Sequence, residues 1–266
     1  MSEVRERSSV FSKGYALVNN LNLYHEIHGD GEPLVLLHGG GSTIQTSFGV
    51  ILPMLAKHHK VIAVELQAHG HTKDRDTPES FEQDAADVTG LLSFLKIDKA
   101  DVLGFSNGAQ TALQLAIAYP QLLSKMVFIS GFYKREGAFK GFFDGFPGAT
   151  LDNMPVIYQE AYLAIEGNDS TGLQRMFEQD RQRMEHFKGW TDAQVASVKA
   201  PTLIISGDRD VATPEHLAEM VRTLPGARLM VLPAIHGSFI GEAMTPEYDT
   251  SLVTLTVKAI EDFLKK

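Results

Sequence analysis

The sequence predicts an α/β fold, a mostly parallel sheet with helices between its strands. Short apolar runs alternate with stretches whose apolar residues recur at helical spacing. Most of the short runs are continuously apolar, as strands covered by helices on both faces are. With 44% hydrophobic and 21% charged residues in 266, the chain has a globular composition and enough length for a large core.

Eight strands are predicted. Residues 14–18 and 21–28 form a pair joined at Asn19-Asn20, a hairpin-type turn. Residues 33–38 (PLVLLH), 61–65, 100–105, 126–130, 202–206 and 228–232 supply the others. Between them, Ile44, Phe48, Ile51, Leu52 and Leu55 predict one helix. Ala85, Val88, Leu91, Leu92 and Leu95 predict another, opened by a capping box of Ser80 and Gln83. Ala109, Ala112, Leu113, Ala116 and Ile117 predict a third, which Pro120 ends. Thr213-Pro214 opens a helix carrying Leu217, Met220, Val221 and Leu224. Val253, Val257, Ile260 and Leu264 predict the last, with Lys265 and Lys266 suited to its final turn.

Residues 132–199 break the alternation. They contain no clear strand, a loop reading FKGFFDGFPG, helical stretches near 155–165 and 171–188, and 11 of the 23 aromatic residues. The segment leaves the carboxyl edge of a strand, where such sheets bind ligands. It is expected to be a helical cap or lid, within a single domain whose core is 1–131 and 200–266.

Composition excludes several functions. Lys and Arg number 24 against 33 Asp and Glu, a formal charge of −9, which opposes nucleic-acid binding. Without cysteine there is no disulfide, thiol nucleophile or cysteine-ligated metal. No run of 18 apolar residues predicts a membrane span, and MSEVRERSSVFSKG has no stretch of signal-peptide character. The expected location is the cytoplasm, and the expected partner is a small-molecule substrate. The sequence leaves the oligomeric state open.

The chemistry concentrates in a few segments. Gly104-Phe105-Ser106-Asn107-Gly108 fits G-x-S-x-G between a predicted strand and a predicted helix. A serine on such a sharp turn projects above the sheet, with small neighbours letting strand and helix approach. A serine hydroxyl needs a base. Of ten histidines, His236 lies in a loop just past the last strand, free to overhang the carboxyl edge. The others are worse placed: His25 and His28 in the early strand pair, His58 and His59 ending a surface helix, His186 and His216 among charged helix residues. An orienting carboxylate comes from Gly207-Asp208-Arg209-Asp210, either Asp210 or Asp208. After the preceding strand, Ser130-Gly131-Phe132-Tyr133 offers none. The amide of Asn107 and one from His38-Gly39-Gly40-Gly41 are candidates for an oxyanion hole. A phosphate cradle is disfavoured in that loop, which lacks a Walker lysine and the G-x-G-x-x-G spacing. His69-Gly70-His71 has no accompanying ligand cluster, so no metal is expected.

These segments together resemble the α/β-hydrolase superfamily over nearly the whole chain. The similarity runs through LYHEIHGDGEPLVLLHGGG, VIAVELQAHGHT, GFSNGAQTALQLAIAYP, PTLIISGDRDVATP and LPAIHG. It implies a doubly wound, eight-stranded, mostly parallel sheet with a helical cap and a Ser106, Asp210, His236 triad. Asp210 is chosen because the family's acid usually ends a G-x-x-D pattern, with Asp208 then a turn residue. Gly40 and Asn107 become the oxyanion donors. The implied activity is cofactor-free hydrolysis of an ester or related carboxylic derivative of a small, largely apolar substrate. Glu65 and Ala68 depart from the family's usual Asp and Gly, and Asn107 from its usual Met. A haloperoxidase or perhydrolase would use the same triad. A carbon–carbon bond hydrolase is less favoured, because the tryptophan that often follows the histidine there is absent. A small-molecule receptor of this fold is disfavoured by the intact triad. The natural substrate is not legible.

Overall fold

The computed structural model describes residues 11–245 and 247–265. Expectations drawn from residues 1–10, and from Lys266, lie outside the described residues. The chain begins with β1 (Phe11–Val18) and β2 (Leu21–His28). Asn19 and Asn20 both adopt positive φ, 47° and 63°, as the two centres of a type I′ hairpin turn require. There follow β3 (Glu32–Leu37), α1 (Ile44–Phe48), α2 (Leu52–Leu55), β4 (His59–Val64), α3 (Phe81–Phe94), β5 (Ala100–Phe105), α4 (Asn107–Ala118) and β6 (Leu123–Ile129). After β6 come α5 (Val156–Ile165), α6 (Ser170–Glu185) and α7 (Asp192–Ala196). The chain closes with β7 (Thr202–Arg209), α8 (Pro214–Thr223), β8 (Arg228–Ile235) and α9 (Thr250–Leu264).

The eight strands form one sheet in the order β1-β2-β4-β3-β5-β6-β7-β8. From β4 onward every pairing is parallel, while β1–β2 and β2–β4 are antiparallel. Along β3, Leu34 and Leu36 face one core while Val35 and Leu37 face the other, because alternate strand residues point to opposite sides. The core on the Leu34 side includes α1, α2 and α9; the Val35 side includes α3, α4 and α8. The connection from β3 goes to β4 on one side, while β5 pairs on β3's other side. That reversal opens a crevice at the carboxyl ends of β3 and β5, the general ligand position in open parallel sheets.

Several expectations are corrected. The stripe from Ile44 to Leu55 is two short helices, separated after Gly49, with Pro53 unable to donate a backbone bond. All five stripe residues are buried, so the spacing recorded burial rather than a continuous helix. Ser80 caps α3 by accepting from the Gln83 N–H, but the Gln83 side chain turns to Asp87 instead of completing a capping box. His59 does not end a helix. It opens β4, buried 3.2 Å from Glu261. His216 is also buried, accepting from the Tyr133 N–H through Nε2. Lys265 stands at the C-cap of α9, just past its last turn.

Between β6 and β7 the described residues hold no strand, only α5 to α7 and three short 3₁₀ turns. Much of the aromatic content there packs against itself. Phe132 contacts Phe142, Phe143 and Phe187 edge-on, and Phe187 contacts Trp190 and Phe81.

Candidate active site

Ser106 sits between β5 and α4 with φ 54° and ψ −122°. A non-glycine residue held there stores about 1–3 kcal/mol of strain, which the surrounding packing must impose. The two glycines of the turn explain how. A Cβ on Gly104 would lie 2.1 Å from the Gly108 carbonyl oxygen, and one on Gly108 would lie 2.0 Å from that of Leu37. Strand and helix therefore approach more closely than any side chain permits. As the N-cap of α4, Ser106 stands at the positive end of the helix dipole.

His236 follows β8, and its Nδ1 lies 2.6 Å from Asp210 Oδ1. Its ring centroid is 4.8 Å from that of Phe105, the residue before Ser106. Asp210 follows β7 and is held from all sides. Oδ2 accepts from Ser130 Oγ at 2.6 Å, Ser206 Oγ at 3.0 Å and the Gly207 N–H at 3.1 Å. Oδ1 also accepts from the Val211 N–H at 2.7 Å. Burial alone would raise the pKa of this carboxyl. The hydrogen bond and charge of His236, with the Ser130 and Gly207 bonds, outweigh it and hold the pKa at about 2. Asp208 points elsewhere and accepts from the Ala234 N–H of β8 at 3.0 Å. The expectation that Asp208 is a turn residue is thus corrected: β7 continues through Arg209, and Asp210 takes the local amides.

Gly40 and Asn107 line one cavity side by side. A Cβ on Gly40 would come within 2.5 Å of Asn107 Nδ2. Asn107 is the first residue of α4, where an N–H has no partner within the helix. His38 braces the loop, donating from Nδ1 to Gly39 O at 2.7 Å and accepting from the Leu66 N–H at 3.0 Å. Burial, and then the charge of His69, lower its pKa to about 4, so the ring stays neutral as that acceptor role requires.

The cavity has a volume of about 360 Å³. Ser106, Gly40 and Asn107 form its floor, and Phe142, Phe146, Met154, Tyr158, Phe177 and Met184 supply apolar walls. Those walls come from the segment between β6 and β7. Tyr158 of α5 also donates to buried Glu242 at 2.7 Å, six residues past His236.

The sequence reading missed four participants. Ser130, singled out only for lacking a carboxylate, orients Asp210 by its hydroxyl. Glu242 and Tyr158 join the histidine loop to α5 across 84 residues. Asp180 of α6 lines the cavity and accepts from the Gly41 N–H at 2.5 Å. No local motif marks any of the last three. The two histidines of His69-Gly70-His71 part company: His69 meets Asp180 at 3.0 Å, and His71 meets Glu65 at 2.8 Å.

Comparison with known proteins points one way. Residues 32–156 match the family model described as alpha/beta hydrolase fold. Serine hydrolase BPHL of Homo sapiens is 30% identical over 234 residues, covering 81% of this chain and 77% of that protein. A 2-hydroxy-6-oxo-2,4-heptadienoate hydrolase of Pseudomonas putida is 27% identical over 210 residues, covering 71% and 76%. Among solved structures, the enol-lactonase of Burkholderia xenovorans LB400 superposes with a TM-score of 0.73 at 23% identity, covering 95% of this chain and all of that one.

Proposed function

The chain belongs to the α/β-hydrolase fold family and is a hydrolase, and on that premise we propose that it cleaves an ester or related carboxylic derivative through Ser106, His236 and Asp210. The observation that carries this is the 2.6 Å contact between His236 Nδ1 and Asp210 Oδ1, with the His236 ring against Phe105, the residue before a serine on a strained strand-to-helix turn. Nδ1–H donates to the carboxylate, which leaves Nε2 as the base. Ser106 attacks the carbonyl carbon, and its proton passes to Nε2. The imidazolium is stabilised by Asp210, and the oxyanion by the Gly40 and Asn107 N–H groups. Collapse expels the alcohol, protonated by His236. Water then repeats the sequence on the acyl-enzyme and returns the carboxylic acid. The residues needed require no cofactor.

The substrate is a small, largely apolar molecule. A cavity of about 360 Å³ with mostly apolar walls supports this. Residues 132–199 act as the helical cap, with 1–131 and 200–266 as the core of one domain. Ser106→Ala is the test, assayed on p-nitrophenyl esters of increasing chain length. A triad serine is worth about 10⁶ in kcat. The variant is expected to fold and to lose nearly all turnover, and a fluorophosphonate is expected to label Ser106 in the parent protein. An alanine variant keeping a tenth of the activity ends this reading.

A further inference from the structure

Asp180 reaches the floor of the cavity from α6, across 139 residues of sequence. Its Oδ2 accepts from the Gly41 N–H at 2.5 Å and lies 3.0 Å from His69 Nε2. Its Oδ1 accepts from Asn107 Nδ2 at 3.3 Å and from the Arg183 guanidinium. A Cβ on Gly40 would lie 2.5 Å from Asn107 Nδ2 and 3.0 Å from Asp180 Oδ2, so the loop, the side chain after the nucleophile and this carboxylate are in close packing. One carboxylate thus grips the residue after Gly40 by its backbone and Asn107 by its side chain.

The carboxylate is itself fixed. His69 Nδ1 donates to Gln67 O at 2.8 Å, which sets the ring's orientation. Nε2 lies 3.0 Å from Asp180 Oδ2 and 3.1 Å from the Gly41 N. The charge and hydrogen bond of Asp180 outweigh burial and raise the ring's pKa to about 9, so His69 is protonated at neutral pH. Arg183 holds Asp180 and also bonds Asp84 at 2.9 Å. An isolated carboxylate here would oppose a developing oxyanion. Protonated His69 and the Arg183 guanidinium, which is shared with Asp84 and Glu79, offset that charge and leave its geometric grip.

We infer that Asp180 is a positioning residue for the oxyanion hole, tying the Gly40-Gly41 loop and Asn107 to α6 so that the two N–H groups converge. The inference rests on the reading of Ser106 as nucleophile, and its test separates the two.

The experiment compares Asp180→Ala, Asp180→Asn and Asn107→Ala with the parent protein. The readouts are p-nitrophenyl butyrate turnover, inhibition by an alkyl trifluoromethyl ketone and fluorophosphonate labelling followed by peptide mapping. The ketone forms a tetrahedral oxyanion on serine, so its affinity reports the hole directly. Loss of one oxyanion donor costs about 10²–10³ in rate, and misplacing donors that remain costs less. Asp180→Ala is expected to lower kcat by roughly 10- to 100-fold with KM within about threefold, and to weaken the ketone by the same factor as kcat/KM. Asp180→Asn keeps an acceptor for the Gly41 N–H and is expected to recover part of that loss. Ser106 remains labelled to completion in every variant. If Asp180→Ala folds, labels at Ser106 and keeps both kcat and ketone affinity, the inference is wrong and the nucleophile stands. A raised KM at unchanged kcat also overturns it, in favour of a substrate contact. Labelling elsewhere in the parent protein overturns the nucleophile instead. Should Asp180→Ala not fold, Asn107→Ala cuts the same tie from the other end, and an unchanged kcat there overturns the inference.

Discussion

Two aspartates each meet a histidine, buried Asp210 after β7 and half-buried Asp180 on α6, and their surroundings differ. Asp210 meets His236 at 2.6 Å, and its other partners are two serine hydroxyls and two backbone N–H groups. All of those are neutral, so His236 is the one cationic partner Asp210 can acquire. That suits the general-base role proposed for His236. Asp180 meets His69 at 3.0 Å but is also bound by Arg183, and its remaining partners belong to the oxyanion loop and Asn107. That pair sits against a fixed positive charge, and the carboxylate raises the pKa of His69 to about 9. On the mechanism proposed above, the same two residue types handle a proton where neutral donors surround them; on the inference about Asp180, they form a clamp where fixed charges do.

The largest expected effect breaks the first pair. Asp210→Asn removes the charge and presents an amide N–H to donors that need an acceptor. The wrong imidazole tautomer is then favoured, which cost about 10⁴ in kcat in a protease example. The same loss is expected here, measured as kcat on p-nitrophenyl butyrate. The hydroxyls of Ser130 and Ser206 can rotate to accept, but the Gly207 N–H cannot. A stability loss of about 1–2 kcal/mol is therefore expected as well, read from urea unfolding. Activity within tenfold of the parent contradicts Asp210 as the orienting acid.

The two pairs were not equally legible. The Asp210 side was readable because each part obeys a local rule. Ser106 lies in a five-residue motif between a buried strand and a helix, and Asp210 and His236 each follow an apolar strand run. Gly104 and Gly108 were marked by the need for strand and helix to approach, which distances of 2.1 and 2.0 Å to an added Cβ bear out. The Asp180 side was not readable, because a lone aspartate in a charged helix looks like a solvated face. Its partners Gly41, His69 and Asn107 lie 139, 111 and 73 residues away. The aromatic-rich segment shows the same limit from the other direction. Its composition suggested cavity walls, yet Phe132, Phe187 and Trp190 bury one another. Composition counted the rings but could not assign their faces.

The second pair is sharpened by pH. Burial alone would lower the basicity of His69. The charge of Asp180 and its hydrogen bond, with further help from Glu79 and Gln67 O, outweigh burial and raise the pKa to about 9. A folded-state value above the ordinary 6.5 stabilises the protein fully below that value, and the contribution fades as pH rises through about 9. His38, Glu79, Asp84 and Asp180 are the titratable groups that interact with the ring, and Arg183 pairs with the three carboxylates. Burial raises Glu79 too, so it titrates in the same range and its step must be subtracted. His69→Gln keeps a side-chain amide donor without a titrating ring. The stability difference between parent and variant, measured by thermal melts, is expected to shrink steadily from pH 7 to pH 10. A constant difference across that range shows that His69 carries no extra proton and that the clamp is not an ion pair.

The smallest effect comes from a third aspartate, two residues from the first. Asp208 was the sequence's alternative acid, and it shares the G-D-R-D segment with Asp210. Its carboxylate nevertheless points along the sheet rather than toward the histidine, accepting from the Ala234 N–H at 3.0 Å in an exposed position. The reason lies in the strand. Because β7 runs through Arg209, Asp208 is a strand residue beside β8, and Asp210 is the first residue free to turn beneath the His236 loop. Asp208→Asn retains an amide oxygen that can accept the same bond, and solvent reaches the site. A net hydrogen bond is worth about 1 kcal/mol, so the change in unfolding free energy is expected to stay below that. Turnover should match the parent's, since no contact runs from Asp208 to Ser106, His236 or the oxyanion loop among the described residues. Measured beside Asp210→Asn, the variant tests whether position in the strand, and not mere membership of the acidic turn, selects the orienting carboxylate. If Asp208→Asn is the inactive one, the assignment reverses and the 2.6 Å contact to Asp210 is only structural.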